Sequence, residues 1–333
     1  MTPKRVGFLG VGWIGRHRLE AMIATGAIEA AAICDPSAEC VGSAREVAPG
    51  AVIVDDLEAM LALELDGLVI ATPSAMHAAQ SIAALDRGLA VFCQKPLGRN
   101  ADEARAVVDA ARRADRLLGV DFSYRKTAAV EAIARLMQEG ALGHVFAADL
   151  TFHNAYGPGK PWFFRRAESG GGCVIDLGVH LVDLALWLLD FPQVETVTSR
   201  LYAGGKPLKT DAEAVEDYAV ARLDLAGGAS VRLACSWNLH AGREALIEAT
   251  FYGTQGSASL RNLNGSFYDF EATLGRGTTH EQIAAPPDDW GGRAAAAWAR
   301  RLADDPRFDP QAEQLVEVSS VLDRIYAAGL KQG

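Results

Sequence analysis

Three glycines near the N-terminus constrain this chain more than any other feature. Gly10-Val-Gly12-Trp13-Ile14-Gly15 follows an apolar run, Val6 to Leu9. It opens a stretch in which Leu19, Met22 and Ile23 keep helical spacing until Gly26. A G-x-G-x-x-G triplet set between a strand and a helix is the fingerprint of a dinucleotide-binding turn. Gly10 permits the tight turn, Gly12 lets the backbone approach a pyrophosphate, and Gly15 lets the helix close on the strand. The helix N-terminus then offers its amides to the phosphates. Trp13 and Ile14, inside the turn, join the glycines as candidate cofactor contacts. Asp35 ends the next apolar run, Ile28 to Cys34. A carboxylate there accepts from both ribose hydroxyls of an adenosine and repels a 2′-phosphate, which favours NAD, with NADP the alternative. Capping the helix near Pro36-Ser37 is a second role that Asp35 can combine with the first.

The remaining pattern up to residue 122 repeats the alternation. Leu68 to Ala71, Leu89 to Cys93 and Leu117 to Phe122 are continuous apolar runs, as expected of parallel strands buried on both faces. Asn100-Ala-Asp-Glu103 reads as a capping box, followed by Ala104, Val107, Val108 and Ala111 at helical positions. Residues 1–122 are therefore expected to form a doubly wound α/β domain. Beyond them Val130, Ile133, Ala134 and Met137 give one more helix, stopped by Gly140. Asp217–Leu225 and Ser230–Trp237 flank the Gly227-Gly228 turn, and Leu246–Tyr252 and Ser257–Leu260 flank another glycine-bearing turn. Both pairs read as hairpins. Leu315, Val318, Leu322 and Ile325 mark a last amphipathic helix. Residues 123–333 are thus expected to be an α+β domain with an antiparallel sheet.

Composition excludes several roles. With 32 Lys plus Arg against 42 Asp plus Glu, the net charge is −10, and no basic run offsets it. Nucleic-acid binding needs clustered positive charge, so no nucleic acid is expected as a partner. The five cysteines are odd in number, contain no CxxC and point to reduced thiols in the cytoplasm, not to disulfides or a metal site. The chain runs from Met1 into a strand by Val6, without a signal peptide, and no continuous apolar stretch is long enough to span a membrane.

Two further segments carry ionisable groups where they are costly to place. Gln94-Lys95-Pro96 ends an apolar run, and a lysine at the carboxyl end of a parallel strand faces the crevice in which such sheets bind ligands. In Gly170-Gly-Gly-Cys-Val-Ile-Asp176-Leu-Gly-Val-His180-Leu-Val-Asp183 the three polar residues fall at i, i+4 and i+7 of a helix. They make one stripe on a surface that includes Leu177, Leu181, Leu184 and Leu188. Such groups need partners or a task. The spacing alone leaves open whether they are a self-satisfied core pair or a reactive constellation.

Taken in order, the glycine turn, Thr72-Pro73-Ser-Ala-Met-His77, the Gln94-Lys95-Pro96 segment and GGGxxxDxGxHxxD resemble the glucose-fructose oxidoreductase/inositol dehydrogenase/MocA family over essentially the whole chain. The resemblance implies a Rossmann domain followed by a domain with a large, mostly antiparallel open sheet. It implies an NAD(P)-dependent oxidoreductase that moves a hydride between nicotinamide and a secondary hydroxyl or ketone of a sugar, inositol or related polyol. Thr72, Pro73, His77, Gln94 and Lys95 join the cofactor contacts, and Lys95, Asp176 and His180 become the catalytic group. The Lys95–Pro96 peptide is expected to be cis. In this reading His180 takes the hydroxyl proton, Asp176 orients the site and Lys95 stabilises the developing alkoxide. The chain departs from the family in carrying Gln94 where glutamate is usual. Tyr124 and Arg125, after the sixth strand, sit where the family often places an arginine.

His153, Asn154, Tyr156, Trp162, Arg165 and Arg166 lie in what reads as an irregular stretch before the catalytic helix. They are suited to ring stacking and hydroxyl binding. Only one of two adjacent arginines can face inward, and Glu168 stands close enough to neutralise it, so a neutral ring is favoured over a sugar acid or phosphate. Trp237, Asn238 and His240 suit either a pocket or a subunit interface. The strands from Tyr218 to Trp237 read as apolar enough to be covered by a partner, so a homodimer or homotetramer is expected. A glycosidase or epimerase-like enzyme with tightly bound NAD, oxidising its substrate only transiently, is the alternative activity.

Overall fold

The computed structural model describes residues 2–209 and 214–330; Met1 and residues 331–333, at the outer ends of the two expected domains, lie outside the described residues. The chain forms two compact units. One takes the chain up to Ser123 together with Gly291–Glu317, and the other takes Tyr124–Trp290 and the chain from Val318 onward.

In the first unit β1 (Lys4–Leu9), β2 (Ile28–Cys34), β3 (Val52–Ile53), β4 (Gly67–Ile70), β5 (Ala90–Cys93) and β6 (Leu118–Val120) form a parallel sheet in the order β3-β2-β1-β4-β5-β6. Helices α1 (Trp13–Ile23), α2 (Ala38–Val47), α3 (Leu57–Leu61), α4 (Ser74–Asp86) and α5 (Ala101–Ala114) make the crossovers. This is the doubly wound sheet expected from the continuous apolar runs. Strand order reverses between β1 and β4, and the ligand crevice of such a sheet opens at the carboxyl ends of those strands. The Asn100 cap is present: its side chain accepts from Glu103 N at 2.9 Å. Glu103 returns its carboxylate to Arg99 N at 2.8 Å, one residue earlier than a standard capping box.

Helix α9 (Arg293–Asp304) belongs to this unit, although the sequence reading places everything after residue 122 in the second domain. Its Trp298 explains two glycines in the sheet. A Cβ on Gly67 of β4 or on Gly119 of β6 would come within 2.9 or 2.7 Å of the indole. Glycine weakens a strand, and here it is the space for a neighbouring ring. Trp298, Ala299 and Leu302 share a buried cluster with Val6, Phe8, Val69 and Phe92.

The second unit carries β7 (Val145–Asn154), β8 (Val194–Ala203), β9 (Lys206–Pro207), β10 (Tyr218–Leu225), β11 (Ser230–Ser236), β12 (Ala245–Gly253), β13 (Ser257–Asn262), β14 (Phe270–Arg276) and β15 (Thr279–Ala284). Their order is β15-β14-β13-β12-β7-β11-β10-β8-β9, antiparallel except for β7 with β11. Both expected hairpins are there, as β10–β11 and β12–β13. Helices α6 (Ala128–Gln138), α7 (Arg166–Ser169) and α8 (Val179–Leu188) belong to this unit, as does most of α10 (Glu313–Leu330). The stretch Arg166–Leu188 is long and apolar enough by composition to cross a membrane, but its apolar window is 89% buried inside the protein.

The sheet corrects the expectation of an apolar face awaiting a partner. Ala148, Leu150 and Phe152 of β7, Leu223 of β10 and Leu233 of β11 are buried, and α8 covers β7 and β11 while α6 covers β13 and β14. Their alternates point to the other face, as the period of two demands. There Arg232 pairs with Asp149 and Arg222 with Asp224. The apolar side of these strands is already used by the chain's own helices.

Candidate active site

The glycine turn behaves as its spacing predicts. Gly10 has φ +85° and no room for a side chain, since its Cβ would lie 2.6 Å from the Ala71 carbonyl. A Cβ on Gly15 would sit 2.1 Å from the Gly10 carbonyl, whereas one on Gly12 would meet nothing within 4 Å. The backbone at Gly12 is therefore open on the side from which a pyrophosphate approaches. Helix α1 starts there with no capping side chain and no acidic residue in its first turn, which suits an anion. Trp13 is exposed. Asp35 accepts from Val11 N and Ser37 N, each at 2.8 Å, one on each carboxylate oxygen. It ties the end of β2 to the glycine turn and to Ser37, and Ser37, not Asp35, caps α2. Each Asp35 oxygen keeps a second lone pair for a ribose hydroxyl. These residues fit an adenine dinucleotide.

The next two loops of the sheet edge are tied together. Thr72 donates to Gln80 Oε1 at 2.6 Å, and His77 lies in the first turns of α4 with its ring nitrogens 2.7 Å from the carbonyls of Pro96 and Thr72. A neutral ring donates to one carbonyl at a time. Burial pulls the pKa of His77 down, and the two carbonyls pull it back up. His77 is 1% exposed, so it braces the Thr72 and Pro96 loops instead of facing a ligand, which corrects its expected place among the cofactor contacts. The Lys95–Pro96 peptide is cis. Gln94 donates through Nε2 to Asp121 Oδ2 at 2.5 Å, and that oxygen also takes Arg18 Nε at 2.6 Å.

In the second unit the stripe Asp176, His180, Asp183 is not carried by one straight helix. Gly170, at φ +90°, ends α7, and Val174–Gly178 form a wider π-helical turn before α8 begins at Val179. Such turns recur at functional sites. The cause is Glu216, which sequence reasoning missed. Its Oε1 accepts from Gly172 N and Val174 N, both at 2.9 Å, and from Tyr326 Oη at 2.7 Å. A Cβ on Gly171 would lie 1.9 Å from Tyr326 Oη, and one on Gly172 1.9 Å from the Glu216 carbonyl, so this close approach accounts for the glycine run. Burial holds the Glu216 carboxyl above its usual range despite these donors.

The three stripe residues then part company. Asp176 Oδ2 accepts from Trp237 Nε1 at 3.1 Å, which puts the buried Trp237 indole beside Asp176. His180 is 8% exposed, with the Tyr124 ring edge-on at 4.8 Å and Phe152 at 6.2 Å. Burial, with Asp176 nearby, raises the Tyr124 phenol well above its usual pKa. Asp183 is buried and takes Arg125 Nε at 2.9 Å, while Trp187 and Phe191 lie over the guanidinium. Arg125, expected as a substrate contact, is held inside the fold by this pair.

The other substrate candidates separate by face. His153 and Asn154 end strand β7; they are not in an irregular stretch. Phe152 faces His180, so His153 faces the opposite side of the sheet, where it bonds Ser236 Oγ at 2.7 Å and stacks on Tyr218. That removes His153 from the His180 pocket. Burial lowers its pKa. Asn154 returns to the His180 side, with a buried Oδ1 that has no partner among the described residues. Trp162 stacks on Phe163 at 3.8 Å, and Phe163 and Phe164 both lie edge-on to Trp237, next to Asp176. Tyr156 is exposed and donates to Glu244 at 3.2 Å. Arg165 pairs with Glu168 at 2.7 Å, as its spacing suggested.

Comparison with known proteins adds a frame. Residues 4–122 match the model described as oxidoreductase family, NAD-binding Rossmann fold, and residues 130–259 match the GFO/IDH/MocA C-terminal domain. The chain is 26% identical to D-glucoside 3-dehydrogenase of Escherichia coli (strain K12) over 78% of its own length and 77% of the relative's. It is 30% identical to D-apiose dehydrogenase of Paraburkholderia graminis over 89% and 76%. The fold matches a levoglucosan dehydrogenase solved with NADH and levoglucosan. The TM-score is 0.83 at 22% identity, covering 99% of this chain and 98% of that one.

Proposed function

Because the chain belongs to the GFO/IDH/MocA family of oxidoreductases, we propose that it is an NAD-dependent dehydrogenase or ketoreductase. Its substrate is a secondary hydroxyl, or the matching ketone, on a neutral sugar, inositol or related polyol. The observation that carries this reading is the buried turn in which Trp237 holds Asp176 while Tyr124 and Phe152 enclose His180. The nearby Trp162–Phe163 stack suits a sugar ring, Glu168 balances the charge of Arg165, and the Arg166 guanidinium lies over the Tyr326 ring, an arrangement that favours a neutral substrate.

Nicotinamide supplies the carbon that accepts or returns the hydride. This chain's part is proton handling and orientation. His180, neutral, removes the hydroxyl proton at its ring nitrogen. Asp176 fixes the substrate and offsets the imidazolium charge. Lys95 Nζ donates to the same oxygen and stabilises alkoxide character; ketone reduction reverses these roles. Asp35 accepts from the adenosine ribose and sets NAD ahead of NADP. The second unit holds the substrate and forms a homodimer or homotetramer through the outer face of its sheet. That face has a groove of about 600 Å³ whose lining includes Asp149, Thr151, Arg200, Val220, Arg222 and Arg232, so the interface combines polar and apolar contacts. The five cysteines, all unpaired, suit the cytoplasm.

The test is a screen of inositols, aldoses and glycosides, with their uronic acids and phosphates, against NAD and NADP. Accumulation of NADH with a neutral ring supports the reading. Turnover of a glycoside with no net NADH, or a charged compound winning by kcat/KM, overturns it.

A further inference from the structure

Resting on the dehydrogenase reading, the geometry of the first unit explains why glutamine stands in front of Lys95. Gln94 is the first residue after β5, and Asp121 the first after the neighbouring strand β6. Asp121 is 1% exposed and Arg18, reaching in from α1, is 6% exposed; their contact at 2.6 Å is a buried ion pair of one positive and one negative charge. The carboxylate puts all its hydrogen bonding on Oδ2, shared by Arg18 Nε and Gln94 Nε2, while Oδ1 is buried without a partner among the described residues.

A carboxylate only accepts. It therefore selects the nitrogen of the Gln94 amide, and Oε1 is the atom left for a ligand. A glutamate at this position would set two carboxylate oxygens about as close as the present 2.5 Å contact, with one guanidinium to balance two charges. Such a pair has to share a proton. We infer that Asp121, anchored by Arg18, is a positioning residue that requires glutamine at position 94 and turns its side chain so that the amide oxygen accepts from a hydroxyl of the bound cofactor. Asp121 acts on the cofactor only through Gln94.

The test is NADH affinity between about pH 6 and pH 9 for the wild type, Gln94→Glu and Gln94→Glu/Asp121→Asn, with melting curves alongside. The charged or titratable groups around position 94 are Arg18 and His17 of α1, Asp121, Lys95 in the same loop and His77 of α4. All but Asp121 are common to the three proteins, so their titration cancels in the comparison. Wild-type affinity should be nearly flat across this range. Gln94→Glu should lose about tenfold or more as pH rises and the shared proton leaves. The double variant rebuilds an N–H to carboxylate contact with its polarity reversed, and should return to within about threefold of wild type with a flat profile. A Gln94→Glu protein as flat and as tight as wild type overturns the inference, and so does a double variant no better than the single one, whether it binds poorly or fails to fold. Wild-type protein that binds neither NADH nor NADPH overturns the dehydrogenase reading itself.

Discussion

Replacing Glu216 by alanine removes the side-chain acceptor of the glycine run and the π-helical turn, while its backbone carbonyl keeps the bond from Cys173 N. Gly172 N, Val174 N and Tyr326 Oη all end on its Oε1, at 2.9, 2.9 and 2.7 Å, and the residue is 1% exposed. At about 1–3 kcal/mol per buried group left unmet, with water repairing part of the loss, the expected cost is about 4 kcal/mol. For a unit of this size that lowers Tm by about 8–16 °C. Asp176 lies on the turn so anchored, and kcat measured well below the melt should fall at least about tenfold.

Glu216→Gln separates charge from geometry, because an amide oxygen replaces Oε1. Burial raises the folded pKa of Glu216 above its unfolded value, so the native state is the tighter proton binder. The carboxyl's contribution is full below an unfolded pKa of about 4.3 and is lost as pH rises through the folded pKa. Glutamine does not titrate. The Tm of Glu216→Gln minus that of wild type should therefore grow from about pH 5 to about pH 8 in fluorescence or circular dichroism melts. An alanine variant melting within about 2 °C of wild type, or a glutamine difference that does not move with pH, refutes the argument.

Other outcomes follow from the same geometry. Asp35→Ser should shift the NAD to NADP ratio of kcat/KM by about tenfold or more toward NADP, and should also raise the KM for NAD, because Val11 N loses its acceptor. Lys95→Ala and His180→Ala should each lower kcat by about 10²–10⁴ while NADH binding, followed by fluorescence, persists; near-normal turnover removes either residue from the mechanism. Trp237→Phe keeps the ring but not the donor to Asp176 and should cost about tenfold in kcat, whereas His153→Ala, on the far face of the sheet, should stay within about threefold. Equal losses from the two would contradict the placement of His153.

The first sheet was legible because its signals are local. A glycine turn between strand and helix, and apolar runs buried on both faces, need no knowledge of distant residues. Lys95, Asp176 and His180, proposed above as the catalytic group, were legible as parts of motifs. What stayed hidden is non-local. Strand β7 finds its partners β11 and β12 far along the chain, so the stretch around His153 read as irregular. The side to which His153 points depends on that register, and a shift of one residue reverses it. Nothing near Val215-Glu216-Asp217 tells that a glutamate will accept from Gly172 and Val174. Arg125 and Asp183 are each visible in the sequence, but their pairing is not.

Helix α9 also imposes an order in time. A ribosome releases β1 to β6 long before it releases Trp298, and until then the sheet carries a bare slot, the size of an indole, over Gly67 and Gly119. Domains commonly mature one after another as the chain emerges. Here the first unit stays unfinished until Gly291–Glu317 has been made, after nearly all of the second, so the two must ripen together. A gene cut after codon 122 should yield an aggregating fragment with that slot open to water. Joining the segment 291–317 back to it by a short linker should give a soluble one.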